Sequence, residues 1–299
     1  MLSSKLNKGE RMNGMTPDSV SRIPVLMYHE IADKSEIHSP LAVTPAAFAD
    51  QLSYLHDLDW RTISAAALSA ILTDGDAVLP AKTVVLSFDD GYENFYTQAM
   101  PQLSKHGFTA TLFMTSGWVK EARPHGPGIP RMLSWAQLSD LASGGIEIGA
   151  HSITHPELDQ LTGKRLHDEL FDSKRQLEDG LGMEVPGLAY PFGYSNSAVR
   201  QLAHQAGYTY AYAVGNRTAT SEADQFAVPR VTVKGATSLD EFRRLITGEN
   251  TFTLRKDRLL TGGWAMVRGA RRTLREIRGG TPAPSQDGSV DRSDDYVGG

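Results

Sequence analysis

An α/β protein organised as a closed or nearly closed parallel barrel is the fold class that this sequence predicts. Short apolar runs recur along the chain, each followed by an amphipathic stretch carrying helix start signals, and six or seven such units follow one another from residue 23 onward. The 299 residues, 40% of them hydrophobic, suffice to bury one large core, and barrels of this length commonly form a single domain.

The first unit is Ile23 to Tyr28, an apolar run ending at His29. Thr44-Pro45 then reads as an N-cap followed by proline in the first turn of a helix with a Phe48, Leu52, Leu55 stripe. Thr83 to Phe88 is the next β-rich run, stopped by Asp89-Asp90-Gly91 and followed by a helix from about Asn94 to Lys105. The rhythm continues with a strand at Thr109 to Met114 and a helix started by Ser134 and carrying Trp135, Leu138 and Leu141. Further strands are expected at Ile146 to Ala150, Gly187 to Tyr190 and Tyr208 to Val214, with helices at about Gly163 to Asp179 and Ala198 to Ala206 between them. Residues 1–22 read as a polar leader, 23–247 as the main folded domain, 248–279 as a basic helical segment and 280–299 as a Pro/Ser/Asp/Gly-rich tail expected to be disordered.

Composition narrows the chemistry. Net charge is −5, from 30 basic and 35 acidic residues, which argues against nucleic acid as partner. With no cysteine, disulfides and thiolate chemistry are excluded, and a transition metal could be held only by histidine and carboxylate. The leader has no apolar core of the signal-peptide kind, so a cytoplasmic location is expected. In 255–278, arginines alternate with Leu259, Leu260, Trp264, Met266, Leu274 and Ile277. That pattern suits either a solvated helix packed on the domain or peripheral contact with the inner face of an anionic membrane.

Two motifs carry reactive groups. Asp89 and Asp90 leave the end of a buried strand side by side, where parallel α/β folds assemble their sites, and adjacent residues there point in different directions. His151-Ser152-Ile153-Thr154-His155 follows another apolar strand. In extended chain its two histidines would stand roughly 13 Å apart, whereas a helical turn brings such residues to about 5–6 Å; joint ligation requires a turn. Asp-Asp-Gly is also a common loop sequence, and two loop histidines can be incidental. Together they favour a carboxylate and two imidazoles around Zn²⁺, with Co²⁺ or Ni²⁺ as alternatives, and a spare carboxylate as base: a site for hydrolysing amides or esters.

These residues resemble the motifs of the NodB-homology polysaccharide deacetylases, carbohydrate esterase family four. Ser87 to Gly91 is similar to the family's T-F-D-D-G and His151 to His155 to its H-[ST]-x-x-H, and the resemblance spans about Ile23 to Ile246. It implies a distorted (β/α) barrel with Asp90, His151 and His155 as metal ligands and Asp89 as general base. The family's R-x-P-[YF] is matched only at Pro191-Phe192, which implies an oxyanion-binding N–H at Phe192; Ala189 stands where the base-orienting arginine belongs, and Arg230 is the candidate to replace it. The family's late acid histidine is absent. Tyr28-His29 instead resembles the branch acting on poly-N-acetylglucosamine, which implies His29 as general acid. Trp135 and Tyr92 resemble sugar-pocket aromatics but equally suit core positions, and His125 is expected on a loop over the cleft.

The resemblance implies hydrolysis of N-acetyl groups on a GlcNAc-type glycan or glycolipid precursor. An O-deacetylase, a non-sugar amidase and a catalytically weak glycan-binding protein are the alternatives.

Overall fold

A computed structural model describes residues 22–33, 39–74, 81–120 and 130–249. Almost all of the expected leader, basic segment and tail, together with His125, lie outside them. Strands β1 (Val25–Tyr28), β2 (Arg61–Thr62), β3 (Thr83–Phe88), β4 (Thr111–Met114), β5 (Glu147–Ala150), β6 (Gly187–Ala189), β7 (Tyr210–Val214) and β8 (Val228–Thr232) are all parallel to their neighbours. β1 pairs with both β8 and β3, so seven strands close a barrel, while β2 pairs only with the beginning of β3. The helices are α1 (Pro45–Asp57), α2 (Ala65–Thr73), α3 (Met100–Lys105, preceded by a π-helical turn at Phe95–Ala99), α4 (Trp135–Ser143), α5 (Gly163–Leu181), α6 (Ser197–Gln205) and α7 (Leu239–Thr247).

Local signals start the helices as expected. Thr44 accepts a hydrogen bond from the Ala47 N–H ahead of Pro45, and Ser134 with Gln137 forms a reciprocal capping box on α4. Strand alternation sorts the core into two layers. Leu26, Leu86, Leu112, Leu188 and Val231 pack with the helices, while Val25, Val85, Phe113, Ala189 and Tyr212 form the inner cluster.

Four elements go beyond the sequence reading: β2, α2, β8 and α7. The start of α2 plugs one end of the barrel. Its Ala65 N–H donates to Thr111 Oγ1 and its Ala66 N–H to Glu147 Oε2, while the Ala65 C=O accepts from Tyr212. Those partners are remote in sequence, although the start itself is local: Ser64 caps the helix, accepting from the Ala67 N–H ahead of an Ala/Leu-rich run. β8 escapes because Pro229 sits inside it, and proline inside a run argues against a strand. It completes the seventh barrel position. No helix among the described residues is long and apolar enough to cross a membrane.

Candidate active site

Asp89 continues the β3 ladder, its N–H donating to the Tyr28 carbonyl of β1 at 3.0 Å. Strand parity turns its side chain inward, like Val85 and Ser87. The chain then leaves the sheet abruptly through Asp90 (φ +73°) and Gly91 (φ +92°). At Gly91 a side chain is also sterically barred, since a Cβ there would lie 1.9 Å from Met114 Sδ. The two carboxylates therefore diverge: Asp89 points into the barrel and Asp90 toward the histidines.

Arg230 rises from β8 to meet Asp89 inside the barrel. Its Nη1 donates to Oδ1 at 2.6 Å and its Nη2 to Oδ2 at 2.8 Å, a bidentate clamp between side chains 0% and 2% exposed. The guanidinium also lies 5.5 Å from the Phe113 ring, which supports it from below. Burial pushes the Asp89 carboxyl up, but the Arg230 charge and hydrogen bonds and the nearby His151 outweigh it and hold the group at about 2. Asp89 is thus an oriented carboxylate at any physiological pH.

His151 and His155 come from the loop after β5. The turn between them is not helical: Ser152 and His155 both take positive φ, +62° and +60°. This folding back sets the two rings 4.9 Å apart. His151 Nδ1 lies 2.8 Å from the Ala189 carbonyl, which can only accept, so Nδ1 carries the proton and Nε2 presents its lone pair. Asp90 Oδ1 stands 3.6 Å from His151 Nε2 and 3.4 Å from His155 Nε2. That oxygen is buried without a hydrogen-bond partner. One ligand atom from each of Asp90, His151 and His155 lies within 4.8 Å of the others, and this is the group of that kind among the described residues.

The donor set fits a divalent cation. A buried carboxylate oxygen without a donor and two imidazole lone pairs converge, and the second nitrogen of His151 is fixed by a carbonyl, as ligating histidines usually are. Burial lowers His155 to about 4 against the opposing pull of Asp90, so its imidazole is neutral and able to ligate at neutral pH.

His29 ends β1 at the same rim, half-buried, with Nδ1 unpartnered. Burial lowers its pKa against the opposing fields of Asp90 and Asp89, which places it in the same electrostatic cluster. Phe192 is held at φ +58° after the buried Pro191 and remains 39% exposed, its ring 4.6 Å from that of His155. Tyr92 is only 3% exposed and bridges to Met132, while the Trp135 ring rests on Gly180 of α5, where an added Cβ would approach it to 2.4 Å. Both occupy packing positions.

The tryptophan beside the histidines is Trp118, 5.3 Å from the His155 ring. Sequence reasoning passed over it, although it lies just beyond β4, at the strand ends that carry Asp89 and His151. The Thr115–Trp118 turn docks on the histidine loop through Ser116 N–H to Ser152 C=O and Gly117 N–H to Ile153 C=O, both 3.0 Å.

Residues 76–211 match the family model described as polysaccharide deacetylase. The chain is 29% identical over 222 residues to YxkH of Bacillus subtilis, covering 74% of this chain and 75% of that protein. It is 24% identical over 216 residues to a poly-beta-1,6-N-acetyl-D-glucosamine N-deacetylase of Staphylococcus aureus, covering 69% and 71% of the two. The fold matches that of the Streptococcus pyogenes deacetylase PplD, solved with acetate, at a TM-score of 0.68 and 24% identity over 75% of this chain and 98% of PplD. A closed parallel barrel with an Asp-Asp pair and an H-x-x-x-H turn at one rim, matched over residues 76–211 by that family model, is similar to the NodB-homology domain of the polysaccharide deacetylases.

Proposed function

We propose that this chain is a metal-dependent polysaccharide deacetylase that removes N-acetyl groups from a GlcNAc-containing glycan. The observation that carries this reading is the convergence of Asp90, His151 and His155 beside an Asp89 held ionised by Arg230. A divalent ion bound by those three residues would supply Lewis acidity, polarising the acyl carbonyl and acidifying a water.

Everything else falls to the chain. Asp89 Oδ2 lies 3.8 Å from His151 Nε2, so a lone pair left over from the Arg230 clamp faces the ligand set and can take a proton from the attacking water. Arg230 orients that carboxylate, replacing the arginine absent at position 189. The Phe192 N–H addresses the charge that develops on the carbonyl oxygen, and its ring walls the acetyl pocket with Trp118. As the C–N bond breaks, His29 delivers a proton to the leaving nitrogen. Burial favours its neutral form at rest, so the proton that it delivers is the one Asp89 takes from the water, passed on before the C–N bond breaks. Aromatic rings at the rim suit the apolar faces of pyranose units, and the likeness to an enzyme named for poly-beta-1,6-N-acetyl-D-glucosamine supports the same sugar class.

Acetate release from poly-β-1,6-GlcNAc fragments and chitooligosaccharides by Zn²⁺-reconstituted protein tests the reading, with chelated and Asp89→Asn samples as controls. Release that depends on both metal and Asp89 is the expected result. Release that survives chelation would overturn metal dependence, and release from O-acetyl substrates alone would move the assignment to an O-deacetylase.

A further inference from the structure

The turn that carries His155 is conformationally costly, with two non-glycine residues in the left-handed region, and such backbone persists only where its surroundings over-determine it. Part of that restraint is internal, the His155 N–H donating to Ser152 Oγ at 3.0 Å, and three further bonds come from one side chain outside the turn. Glu169 of α5 accepts from the Ile153 N–H at 2.8 Å and the Thr154 N–H at 3.0 Å through Oε2, and from Thr154 Oγ1 at 2.5 Å through Oε1. Both carboxylate oxygens are engaged on the two residues that precede His155. Seven residues on, and so on the same face of α5, Gln176 accepts from Ser116 Oγ at 2.7 Å. Ser116 belongs to the turn that bonds the backbone of Ser152, and Gly117 beside it approaches so closely that a Cβ would lie 2.5 Å from the Ile153 oxygen. One helix thus grips the ligand turn directly and its docking partner next to it.

We infer that Glu169 is a positioning residue of the metal centre: it touches neither ion nor substrate, and sets the affinity of the site by holding His155 in its ligating orientation. This rests on the reading of Asp90, His151 and His155 as ligands. A turn free to relax toward ordinary dihedrals would carry the His155 ring away from Asp90, and binding would have to restore the geometry each time.

The test is Zn²⁺ affinity, measured by competition with a chelating dye, for the unaltered chain, Glu169→Ala, Glu169→Gln, Thr154→Val and Asp172→Ala, with melting of each metal-free protein alongside. Glu169→Ala should weaken Zn²⁺ binding by about 10–100-fold, the range for lost partners of metal ligands. Glu169→Gln should recover most of it, since its amide oxygen can accept from both N–H groups and its NH₂ can donate to Thr154 Oγ1. Thr154→Val, which removes one bond of three, should lose less than Glu169→Ala, and Asp172→Ala, on the same helix, should lose nothing. Full affinity in Glu169→Ala, with only its metal-free melting point lowered, would show a merely structural role and overturn the proposal. Should Glu169→Ala fail to fold, full affinity in Thr154→Val and loss without recovery in Glu169→Gln would overturn it equally. Absence of Zn²⁺ binding by the unaltered chain would overturn the ligand reading itself, a result distinct from the others.

Discussion

Arg230 and Asp89 form a fully buried ion pair, and buried pairs are most sensitive to loss of one partner, because the survivor keeps its desolvation cost. Asp89→Asn is therefore expected to lower acetate release by about 10²–10⁴-fold and to cost about 3–5 kcal/mol in urea unfolding. Arg230→Lys keeps the charge but not the fork, so kcat should fall while KM changes little, as steady-state kinetics would show. Titration adds a second expectation. The folded-state pKa of His155, about 4, lies below its ordinary 6.5, so unfolding takes up a proton between those values. The stabilisation is present above about pH 6.5 and is lost as pH falls through about 4, on the order of 3 kcal/mol for this group. Denaturant midpoints of metal-free protein from pH 7 to 4 should show that decline, and His155→Gln should flatten it. Much of the site was legible at this scale: Asp89, Asp90, His151, His155 and His29 announce themselves at strand ends. Trp118 and Glu169 do not, since one follows a strand without a motif and the other sits within a helix that reads only as amphipathic.

Helix starts are the most local feature of the fold, and the sequence showed them well. Ser134 is worth testing, because its side chain and that of Gln137 satisfy each other's backbone donors. Ser134→Ala should cost about 1 kcal/mol of stability in urea. Gly91→Ala is expected to be more damaging, since it sets a Cβ against Met114 and penalises the left-handed turn that separates the two aspartates. A loss of about 1–3 kcal/mol, accompanied by weaker Zn²⁺ binding in the same dye competition, would confirm that this turn aims Asp90. Two of the missed elements, α2 and α7, do carry local caps, Ser64 and Ser238, each accepting from the N–H three residues on. Distant partners add to this in α2, where Thr111 and Glu147 accept from its first two N–H groups, and decide β8, which tolerates Pro229 because the barrel supplies its neighbours on both sides.

At the scale of the molecule, barrel closure through the β1–β3 and β1–β8 pairings brings His29, Asp89 and Arg230 from three distant stretches of chain to one rim. All seven barrel strands lie before residue 249. A chain cut after Glu249 should keep its fold and its acetate release from soluble oligosaccharides, and sedimentation with anionic vesicles then tests the proposed peripheral membrane contact. Binding by the full chain that disappears on truncation would assign it to 255–278; equal binding by both would exclude that segment.

The sequence by itself determined the α/β alternation, the barrel class, most helix starts and the reactive residue types, because each is written in local periodicity, capping chemistry or motif spacing. Only the tertiary structure decided which carboxylate meets which partner. Arg230 reaches Asp89 across 141 residues, Glu169 reaches the histidine turn from a neighbouring helix, and Trp118 stands beside His155. Such pairings depend on strand register and on the closing of the barrel, and a linear pattern carries no record of either until the chain has folded.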